Sequence, residues 1–334
     1  MIVLVTGVNG QLGHDMMLEL ARRGHEPIGS GSGPDYRGTD CVAAMPYEQM
    51  NIADVQDVRK VMEKVHPDAV VHCSAWTAVD AAEEEENREK VFALNVSGTR
   101  NIAEACRDTG AKMVYLSTDY VFDGQGTRPW KPDDNNYAPL NVYGQSKLEG
   151  ECAVRETLER AFIVRIAWVF GRNGKNFIRT MLNVAKTHDT VRVVNDQIGT
   201  PTYTVDLARL LTDMIETERY GCYHATNAET EPGKYISWYD FTCEIYRQAG
   251  LKVKVIPVST EEYGLSRAKR PFNSRLDKSK LEQNGFRPLP DWKDAVGKSE
   301  RTIKRRMTDL QEKGYLRRAN GKRNGHWEVL VDLS

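Results

Sequence analysis

The sequence predicts an α/β protein with a doubly wound parallel sheet and a smaller mixed α/β lobe. Short β-rich apolar runs alternate with longer helical patterns through the first two-thirds of the 334 residues. This alternation is typical of a parallel sheet that is covered by helices on both faces. One run, KMVYLS at residues 112–117, is almost continuously apolar, as expected for a central strand buried on both sides.

The predicted elements follow one another in the order that this fold class requires. Strands are expected at Ile2–Thr6, Ala69–Cys73, Lys112–Ser117 and Ala161–Ala167. Helices are expected between them at Leu12–Arg23, Val55–Val65, Glu84–Arg107 and Val142–Arg160. The loop-rich region after residue 170 is predicted to contain helices at Asn176–Lys186, Asp206–Glu216 and Ser237–Gln248 and a strand at Val191–Asn195.

These patterns divide the chain into three segments. We expect the sheet domain at residues 1–170, and the smaller lobe, interleaved with that domain, at residues 171–296. Residues 297–334 form a separate C-terminal extension. Ligands of open α/β sheets bind beyond the carboxyl ends of the strands, so motifs at those ends are the first candidates for function.

The composition argues against several classes of protein. A net charge of −1 gives no general reason to expect a nucleic-acid partner, and no run approaches the roughly 20 apolar residues that span a membrane. The start, MIVLVTGVNGQLG, has no basic segment and no cleavage site, which favours a strand over a signal peptide. The six cysteines are scattered singly, which predicts reduced thiols in a soluble cytoplasmic protein without a metal site.

A glycine motif follows the first predicted strand and opens the first predicted helix. Gly7 permits a tight turn, Gly10 lets the backbone approach a pyrophosphate, and Gly13 permits close packing of helix and strand. The helix N-terminus then offers free N–H groups to the phosphates. The motif therefore predicts a Rossmann-type dinucleotide site. Its candidate cofactor-binding residues are Gly7, Asn9, Gly10, Gln11, Leu12 and Gly13.

The end of the second strand bears on the choice of cofactor. An acidic residue there would accept a hydrogen bond from the ribose 2′-OH of NAD, but no carboxylate occurs before Asp35. Ser30 and Ser32 could instead bind a 2′-phosphate, and Arg37 lies within reach of a short loop. We therefore expect NADP, with NADPH preferred, while NADH stays open.

A Tyr–Lys pair and an upstream Ser–Thr–Asp sequence predict the catalytic centre. Tyr143 and Lys147 are four residues apart and share one helix face, so the ammonium can stabilise a phenolate. A tyrosine made more acidic in this way can act as a general acid near neutral pH. Ser117, Thr118 and Asp119 end the buried strand, where a hydroxyl can hold a substrate carbonyl.

Longer stretches carry a resemblance to a known family. VTGVNGQLG, LSTDYVFDG, PLNVYGQSKLEGE, VVNDQIGTPTYTVDLA and RPFNSRLDKSKL follow one another in order, within residues 1–296. With these stretches the chain resembles the extended short-chain dehydrogenases and, among them, the dTDP-4-dehydrorhamnose reductases. The resemblance implies NAD(P)H-dependent reduction of the 4-keto group of dTDP-4-dehydro-6-deoxy-L-mannose, giving dTDP-L-rhamnose for cell-surface polysaccharide.

The resemblance also implies roles for individual residues. Thr118, Tyr143 and Lys147 are implied to be catalytic, with Tyr143 donating a proton to the C4 oxygen and Lys147 also binding the nicotinamide ribose. Asn95 is implied to shape the active site and to hold a water in a proton relay. The other implied cofactor contacts are Asn51, Ile52, Ser74 and Ala75. The implied substrate contacts are Thr77, Val79, Asp119, Trp168, Asn176, Gln197 and Arg275, and Asp196, Pro201 and Thr202 are implied to close the sugar pocket.

Two departures and several alternatives remain. Cys73-Ser74-Ala75 stands where the family usually has an Asn-Ala-Ala type of run, and Asn51 stands where it usually has an acidic residue. An epimerase or dehydratase of the same superfamily is an alternative, although a dehydratase would carry Asp-Glu where Asp119-Tyr120 stands. A non-catalytic NADP-binding regulatory subunit is a second alternative. A homodimer also stays open.

The C-terminal extension differs from the rest of the chain. Residues 297–323 carry a local net charge of +7, which leaves about −8 for the remainder. A helix starting at Ser299, with Ile303, Met307 and Leu310 on one face, is predicted to end near Gly314. Tyr315–Arg318 and His326–Val331 could then form a hairpin. This resembles half of a winged-helix module, without the helices that normally precede its recognition helix. A fusion or assembly accident, a basic extension docked on the rest of the chain, and a DNA-binding element are the alternatives, and DNA binding would rest on the extension alone and would be salt-sensitive.

Overall fold

The computed structural model describes residues 1–38, 40–298, 316–319 and 326–329. The strands are β1 (Ile2–Thr6), β2 (Glu26–Gly31), β3 (Tyr47–Gln49), β4 (Ala69–His72), β5 (Lys112–Thr118), β6 (Ala161–Ile166), β7 (Val169–Phe170), β8 (Thr190–Val194), β9 (Ile198–Gly199), β10 (Thr202–Tyr203), β11 (Gly221–His224), β12 (Asn227–Ala228), β13 (Ile236–Ser237), β14 (Lys254–Val258), β15 (Asn273–Ser274), β16 (Leu289–Asp291), β17 (Leu316–Ala319) and β18 (His326–Val329). The helices are α1 (Gln11–Arg22), α2 (Val55–Val65), α3 (Glu85–Phe92), α4 (Thr99–Thr109), α5 (Val142–Thr157), α6 (Phe177–Val184), α7 (Thr204–Ile215), α8 (Trp238–Ala249), α9 (Thr260–Tyr263) and α10 (Ser279–Gln283). Residues 292–298 are also helical.

A seven-stranded parallel sheet confirms the predicted fold class. Its strand order is β11-β6-β5-β4-β1-β2-β3, and every neighbouring pair is parallel. The order from β3 to β6 is that of a doubly wound dinucleotide-binding sheet. The chain reverses its direction of winding between β1 and β4, so the carboxyl ends of those two strands form a crevice.

Both faces of the sheet are buried, as the apolar runs predict. Val3 and Val5 of β1 point to the face that α1 and α7 cover, whereas Leu4 points to the face covered by α2, α4 and α5. All seven residues of β5 are buried, which agrees with the prediction for KMVYLS. The sheet is therefore the middle layer of three.

The predicted elements have counterparts whose ends differ by a few residues. The long helix expected at Glu84–Arg107 consists of α3 and α4, joined by a π-helical segment at Ala93–Gly98. The short strand β3 and the strand β11 were not predicted. β11 pairs with β6, and α7 packs beside α1, so two elements that follow residue 170 belong to the sheet layers. The division at residue 170 stays a prediction.

The smaller lobe has its own apolar core. Phe170, Phe241 and Trp292 are buried there together with residues of α6 and β8. Ala295 and Val296 are also buried in this core, so the helical residues 292–298 are part of the lobe. β14 and β8 form a parallel pair at its surface.

The extension is described only in part. β17 and β18 are antiparallel, with Leu316 opposite Val329, so the two predicted hairpin strands do pair. The helix predicted from Ser299 to Gly314 lies outside the described residues. Within the ranges that are described, no helix has the length and apolar character needed to cross a membrane.

Candidate active site

The glycine motif forms a cradle in which side chains have no room. Gly7 has a left-handed φ of 71°, and a Cβ built there would lie 2.8 Å from Ser74 N. A Cβ on Gly13 would lie 2.4 Å from Gly7 O, so only glycine lets α1 approach this turn. The turn is held by a hydrogen bond of 2.8 Å from Gly7 N–H to the carbonyl of Ser30. The cradle is thus made of backbone, as a pyrophosphate site requires.

The first helix leaves its N-terminal donors free for a ligand. Gly10 is the N-cap of α1 and has no side chain that could accept from the first-turn N–H groups. No acidic residue lies in the first turn of this helix. An anion placed before Gln11 would therefore meet unpaired N–H groups and the positive end of the helix dipole.

A single cleft of about 730 Å³ runs from this cradle to the predicted catalytic residues. Most of the predicted site residues line the cleft, namely Gly7, Asn9, Gly10, Gln11, Leu12, Gly13, Asn51, Ile52, Ser74, Ala75, Thr77, Val79, Thr118, Asp119, Tyr143, Lys147 and Trp168. The structure thus brings together residues from positions 7 to 168. The volume of the cleft is in the range of small-molecule binding sites.

Ser30 does not line the cleft. Its side chain is fully buried, and its Oγ has no hydrogen-bond partner. Ser30 supports the turn through its carbonyl instead. Ser32 and Arg37 do line the cleft, and Arg37 N–H donates to Asn9 Oδ1 over 2.8 Å. The side chains available to a 2′-phosphate are therefore those of Ser32 and Arg37.

Asn95 lies behind the cleft wall and fixes the loop after β4. Its Oδ1 accepts from Trp76 N–H at 2.8 Å, and its Nδ2 donates to Trp76 O at 3.2 Å and to Ser146 Oγ at 2.9 Å. Asn95 belongs to the π-helical segment, a distortion that is frequent at functional sites. It links the loop of Ser74, Ala75 and Thr77 to the catalytic helix α5.

The three predicted catalytic residues meet at the carboxyl end of β5. Thr118 ends that strand, while Tyr143 and Lys147 lie on one face of α5, which is capped by a hydrogen bond of 2.7 Å from Gly144 N–H to Asn141 Oδ1. Thr118 Oγ1 accepts from Tyr120 N–H at 3.2 Å and donates to Asp119 Oδ1 at 3.0 Å. Tyr143 packs edge-on against Tyr120.

The pKa of Tyr143 is raised, whereas the sequence predicts that the Lys147 ammonium lowers it. Burial raises the pKa of its phenol, the charge of Asp119 raises it further, and a hydrogen bond with Thr118 acts in the opposite direction. Lys147 is not among the groups that lower it. The lysine ammonium instead lies 4.1 Å from the centre of the Tyr115 ring. Tyr143 is therefore neutral and carries its proton near pH 7, but its raised pKa makes it a weaker acid than the lysine-assisted phenol that the sequence predicts.

Two buried charged groups flank this tyrosine. Burial lowers the pKa of Lys147 to about 7, although the nearby Glu151 carboxylate favours its charged form. Burial raises the pKa of Asp119 to about 6. Asp119 lines the cleft, and its buried Oδ2 makes no hydrogen bond of normal length, although the nearby Ser274 hydroxyl acts against the rise of the Asp119 pKa. An incoming hydroxyl group could satisfy that oxygen.

The residues predicted to close the sugar pocket lie further out. Asn176 caps α6 and donates to Gln11 Oε1 at 3.1 Å, so it touches the cradle but does not line the cleft. Gln197 donates to Thr260 Oγ1, and Asp196 accepts from Thr260 N–H, so both are tied to α9. Thr202 is fully buried against Ala167 O. Pro201 is also buried, and its carbonyl accepts from Asn227 N–H.

Arg275 does not line the cleft. Its guanidinium donates to Asn273 Oδ1 at 3.0 Å and stacks near Tyr235. Arg270 is closer to the catalytic centre, because it donates to Tyr120 Oη at 3.2 Å and to Asp80 Oδ2 at 2.6 Å. The sequence around Arg270, in the stretch RPFNSRLDKSKL, carries no signal for these two contacts, because they join segments that are distant along the chain.

The wall opposite the cradle is aromatic. Trp168 follows β6 and stacks on Trp238, the first residue of α8, with ring centroids 3.9 Å apart. Both indoles line the cleft. The sequence at Trp238 indicates only the start of a helix and does not predict its contact with Trp168. In the described ranges, no group of three or more His, Cys, Asp or Glu side chains is arranged to hold a metal ion.

A doubly wound sheet with a glycine cradle and a Thr–Tyr–Lys set along one cleft defines a short-chain dehydrogenase/reductase. The family of the RmlD substrate binding domain matches residues 1–304, and the chain belongs to that family.

Known relatives agree with this membership. The chain is 38% identical over 294 residues to the spore coat polysaccharide biosynthesis protein SpsK of Bacillus subtilis, covering 88% of this chain and 95% of that protein. It is 38% identical over 304 residues to the dTDP-4-dehydrorhamnose reductase of Streptomyces griseus, covering 89% and 92%. The crystal structure of dTDP-4-dehydrorhamnose reductase from Bacillus anthracis in complex with NADP superposes with a TM-score of 0.79 at 36% identity, covering 91% and 99%.

Proposed function

We propose that this protein reduces the 4-keto group of dTDP-4-dehydro-6-deoxy-L-mannose with NADPH and releases dTDP-L-rhamnose for cell-surface polysaccharide. The observation that carries the proposal is one continuous cleft with a glycine cradle at one end and Thr118, Tyr143 and Lys147 at the other. A reductase needs this arrangement, because the nicotinamide must reach the sugar carbonyl beside a proton donor. Relatives that carry the reductase name support the choice of substrate.

The residues fit a dinucleotide. The Cβ-free cradle at Gly7 and Gly13 and the uncapped start of α1 accommodate a pyrophosphate. Ser74 and Ala75 line the adjoining wall, and Asn51 and Ile52 line the region proposed for the adenine. Ser32 and Arg37 supply donors for a 2′-phosphate, which supports NADP over NAD, although NADH is a second possible reductant.

The proposed mechanism divides the work between the cofactor and the chain. NADPH, when bound, supplies the hydride for C4 of the sugar. The Thr118 hydroxyl holds the keto oxygen, and neutral Tyr143 donates its proton to that oxygen. Lys147 binds the nicotinamide ribose. Its ammonium lies over the Tyr115 ring in this structure, so its stabilisation of the Tyr143 phenolate is proposed only for the complex with cofactor and sugar. Asn95 keeps the loop of Trp76 against α5 and supports a relay water that returns the proton.

The sugar itself contacts a second group of residues. Asp119, which lines the cleft, accepts a hydrogen bond from a sugar hydroxyl, and Trp168 packs against the sugar ring. Thr77 and Val79 complete the wall. Asn176 acts through its contact with Gln11. Gln197 donates to Thr260 Oγ1 and Arg275 donates to Asn273 Oδ1, so the hydrogen bonds of these two side chains do not support direct contacts with the substrate.

An NADPH-oxidation assay tests the proposal. Purified full-length protein is given dTDP-4-dehydro-L-rhamnose, its UDP counterpart, or dTDP-4-keto-6-deoxy-D-glucose, and the sugar products are identified. We expect turnover with the first substrate and dTDP-L-rhamnose as its product. A relative from Streptomyces niveus is named dTDP-4-keto-6-deoxy-D-glucose reductase, so the third substrate tests the main alternative.

Three results would contradict the proposal in different ways. Turnover with the third substrate alone would identify another nucleotide-sugar reductase, and interconversion of sugars without net NADPH oxidation would identify an epimerase. NADPH binding without any turnover would favour a regulatory subunit.

A cytoplasmic location is supported by the six free cysteines, all in the described ranges. A homodimer and the absence of a metal stay predictions.

A further inference from the structure

Trp168 has a backbone conformation that a bulky residue rarely adopts. Its φ is 50°, and in the described part of the chain His66 is the only other non-glycine residue with a positive φ. The left-handed region is unfavourable for large L-residues, and such residues persist where the surroundings hold them. One restraint is a hydrogen bond of 3.1 Å from Thr202 N–H to Trp168 O. A second restraint acts on the indole itself.

That second restraint is Trp238. The two indole rings are nearly parallel, at an interplanar angle of 20° and a centroid distance of 3.9 Å, so Trp238 covers one face of Trp168. Both rings are half-buried and line the cleft, unlike the fully buried Phe241 of the lobe core. The pair is therefore a wall of the site and not only a packing contact.

Trp238 is itself fixed by the smaller lobe. It begins α8, where Ser237 Oγ accepts from Asp240 N–H at 3.0 Å and Ser237 N–H donates to Asp240 Oδ2 at 2.9 Å. This reciprocal capping box fixes the first turn of the helix. The ring of Phe177 lies 4.5 Å from the Trp238 ring on another side. Trp238 thus brings a rigid part of the lobe against a strained residue of the sheet domain.

We propose that Trp238 is a positioning residue for sugar recognition. It holds the indole of Trp168 so that the uncovered part of that ring meets the sugar of the substrate, and it does so without touching the reacting atoms. The inference rests on the proposed function, because it concerns how the same cleft binds its nucleotide sugar. It predicts an effect on the sugar nucleotide that is separate from cofactor binding and from proton transfer.

The test compares Trp238→Leu with Trp238→Phe in the full-length protein. Leucine is apolar but smaller than tryptophan and cannot stack, so KM for the sugar nucleotide should rise about five- to tenfold, the range that one aromatic pair supports. KM for NADPH and kcat should stay within about twofold, since proton transfer by Tyr143 is unaffected. Phenylalanine should restore most of the affinity. Tyr239→Leu is the matched control, because Tyr239 follows in the same helix and does not line the cleft.

Circular dichroism gives a readout that needs no substrate. Two stacked indoles couple their transitions, so the wild-type protein should show an exciton couplet that Trp238→Phe and Trp168→Phe each remove and Tyr239→Leu retains. An unchanged KM for the sugar nucleotide in Trp238→Leu would overturn the inference, as would an equal rise of both KM values. A wild-type protein that turns over no nucleotide sugar would instead overturn the proposed function, whatever the couplet shows.

Discussion

The two ends of the cleft are built in different ways. At the cofactor end, the proposed pyrophosphate cradle is backbone from one short stretch, residues 6–13, which is held by the carbonyl of Ser30. The sugar end is made of side chains from β5, α5, the turn after β6, and the start of α8. A change of one glycine in this turn would remove the pyrophosphate cradle. The sugar end depends instead on contacts between segments that are distant along the chain. The first end should therefore tolerate little change, and the second should vary in specificity.

The largest expected effect lies where the two ends meet. Tyr143→Phe removes the phenol O–H but keeps the ring that packs against Tyr120. Turnover should fall by about 10²-fold or more, as for the loss of a general acid, while NADPH binding by fluorescence titration should be unchanged. If most activity remained, Tyr143 would not be the proton donor, and the proposed role of Lys147 would also be lost.

The same comparison shows what the sequence could predict. The turn at Gly7, Gly10 and Gly13 was predicted correctly because steric limits on the backbone are local. The meeting of Thr118 with Tyr143 was predictable because parallel strands end at one edge of the sheet. The role of Trp238 could not be predicted, because its stacking on Trp168 depends on how the smaller lobe packs against a segment distant along the chain. A substrate contact of Arg275 stays a prediction, because a position in a stretch of sequence does not fix where a long side chain points, and its guanidinium donates to Asn273 Oδ1 in this structure.

The second effect tests the backbone-built end. Gly13→Ala would place a Cβ 2.4 Å from Gly7 O, which forces α1 away from the turn. Overpacking of this kind costs about 1–3 kcal/mol, so NADPH affinity should fall about tenfold or more and Tm should decrease. In Gly33→Ala the new Cβ would lie 3.6 Å from the Arg37 guanidinium, an ordinary van der Waals distance, so this variant controls for a glycine-to-alanine change without overpacking. Because Gly33 lines the cleft beside Arg37, the decisive comparison is with the wild-type protein, and unchanged NADPH affinity in Gly13→Ala would mean that the cradle is not the pyrophosphate site.

The third effect concerns pH at the sugar end. Burial raises the pKa of Asp119 to about 6 and lowers that of Lys147 to about 7. The carboxylate and the ammonium are the forms that the mechanism uses, so kcat/KM for the sugar nucleotide should rise through about pH 6 and fall above about pH 7. Asp119→Asn should remove the rise and lower kcat/KM about tenfold, the loss of one hydrogen bond to a charged group. A rise that persists in this variant would belong to another group.

The same carboxyl group should be visible in stability. Its folded-state pKa of about 6 lies above the ordinary value of 3.8, so the folded state binds the proton more tightly than the unfolded chain. Its contribution is therefore fully present below pH 3.8 and is lost as pH rises through about 6. Chemical denaturation across this window should show a fall in unfolding free energy that Asp119→Asn removes.

The fourth effect concerns cofactor choice at the edge of the cradle. A change at the buried Ser30 would disturb the turn, so the informative position is Ser32, which lines the cleft near Arg37. Ser32→Asp places a negative charge against the 2′-phosphate, and the ratio of kcat/KM values for NADPH and NADH should shift several-fold toward NADH. Ser32→Asn is the uncharged control. A strong preference for NADH in the wild-type protein would show that this loop does not select NADP.

The smallest expected effect lies outside the cleft. The lobe core includes Trp292, Ala295 and Val296, and among the described strands β17 and β18 pair only with each other. A lone two-stranded hairpin is marginally stable and adds little to a core. Truncation after Lys298 should therefore leave kcat within about twofold and Tm within about 2 °C, the scale of changes away from packed features. Weak duplex DNA binding by the full-length protein, lost between low and physiological salt, should disappear in the truncated form.

Two outcomes would contradict this expectation. Loss of reductase activity on truncation would mean that Ile303, Met307 and Leu310 belong to the lobe core. Tight, sequence-selective DNA binding at physiological salt would make the extension a DNA-binding element in its own right.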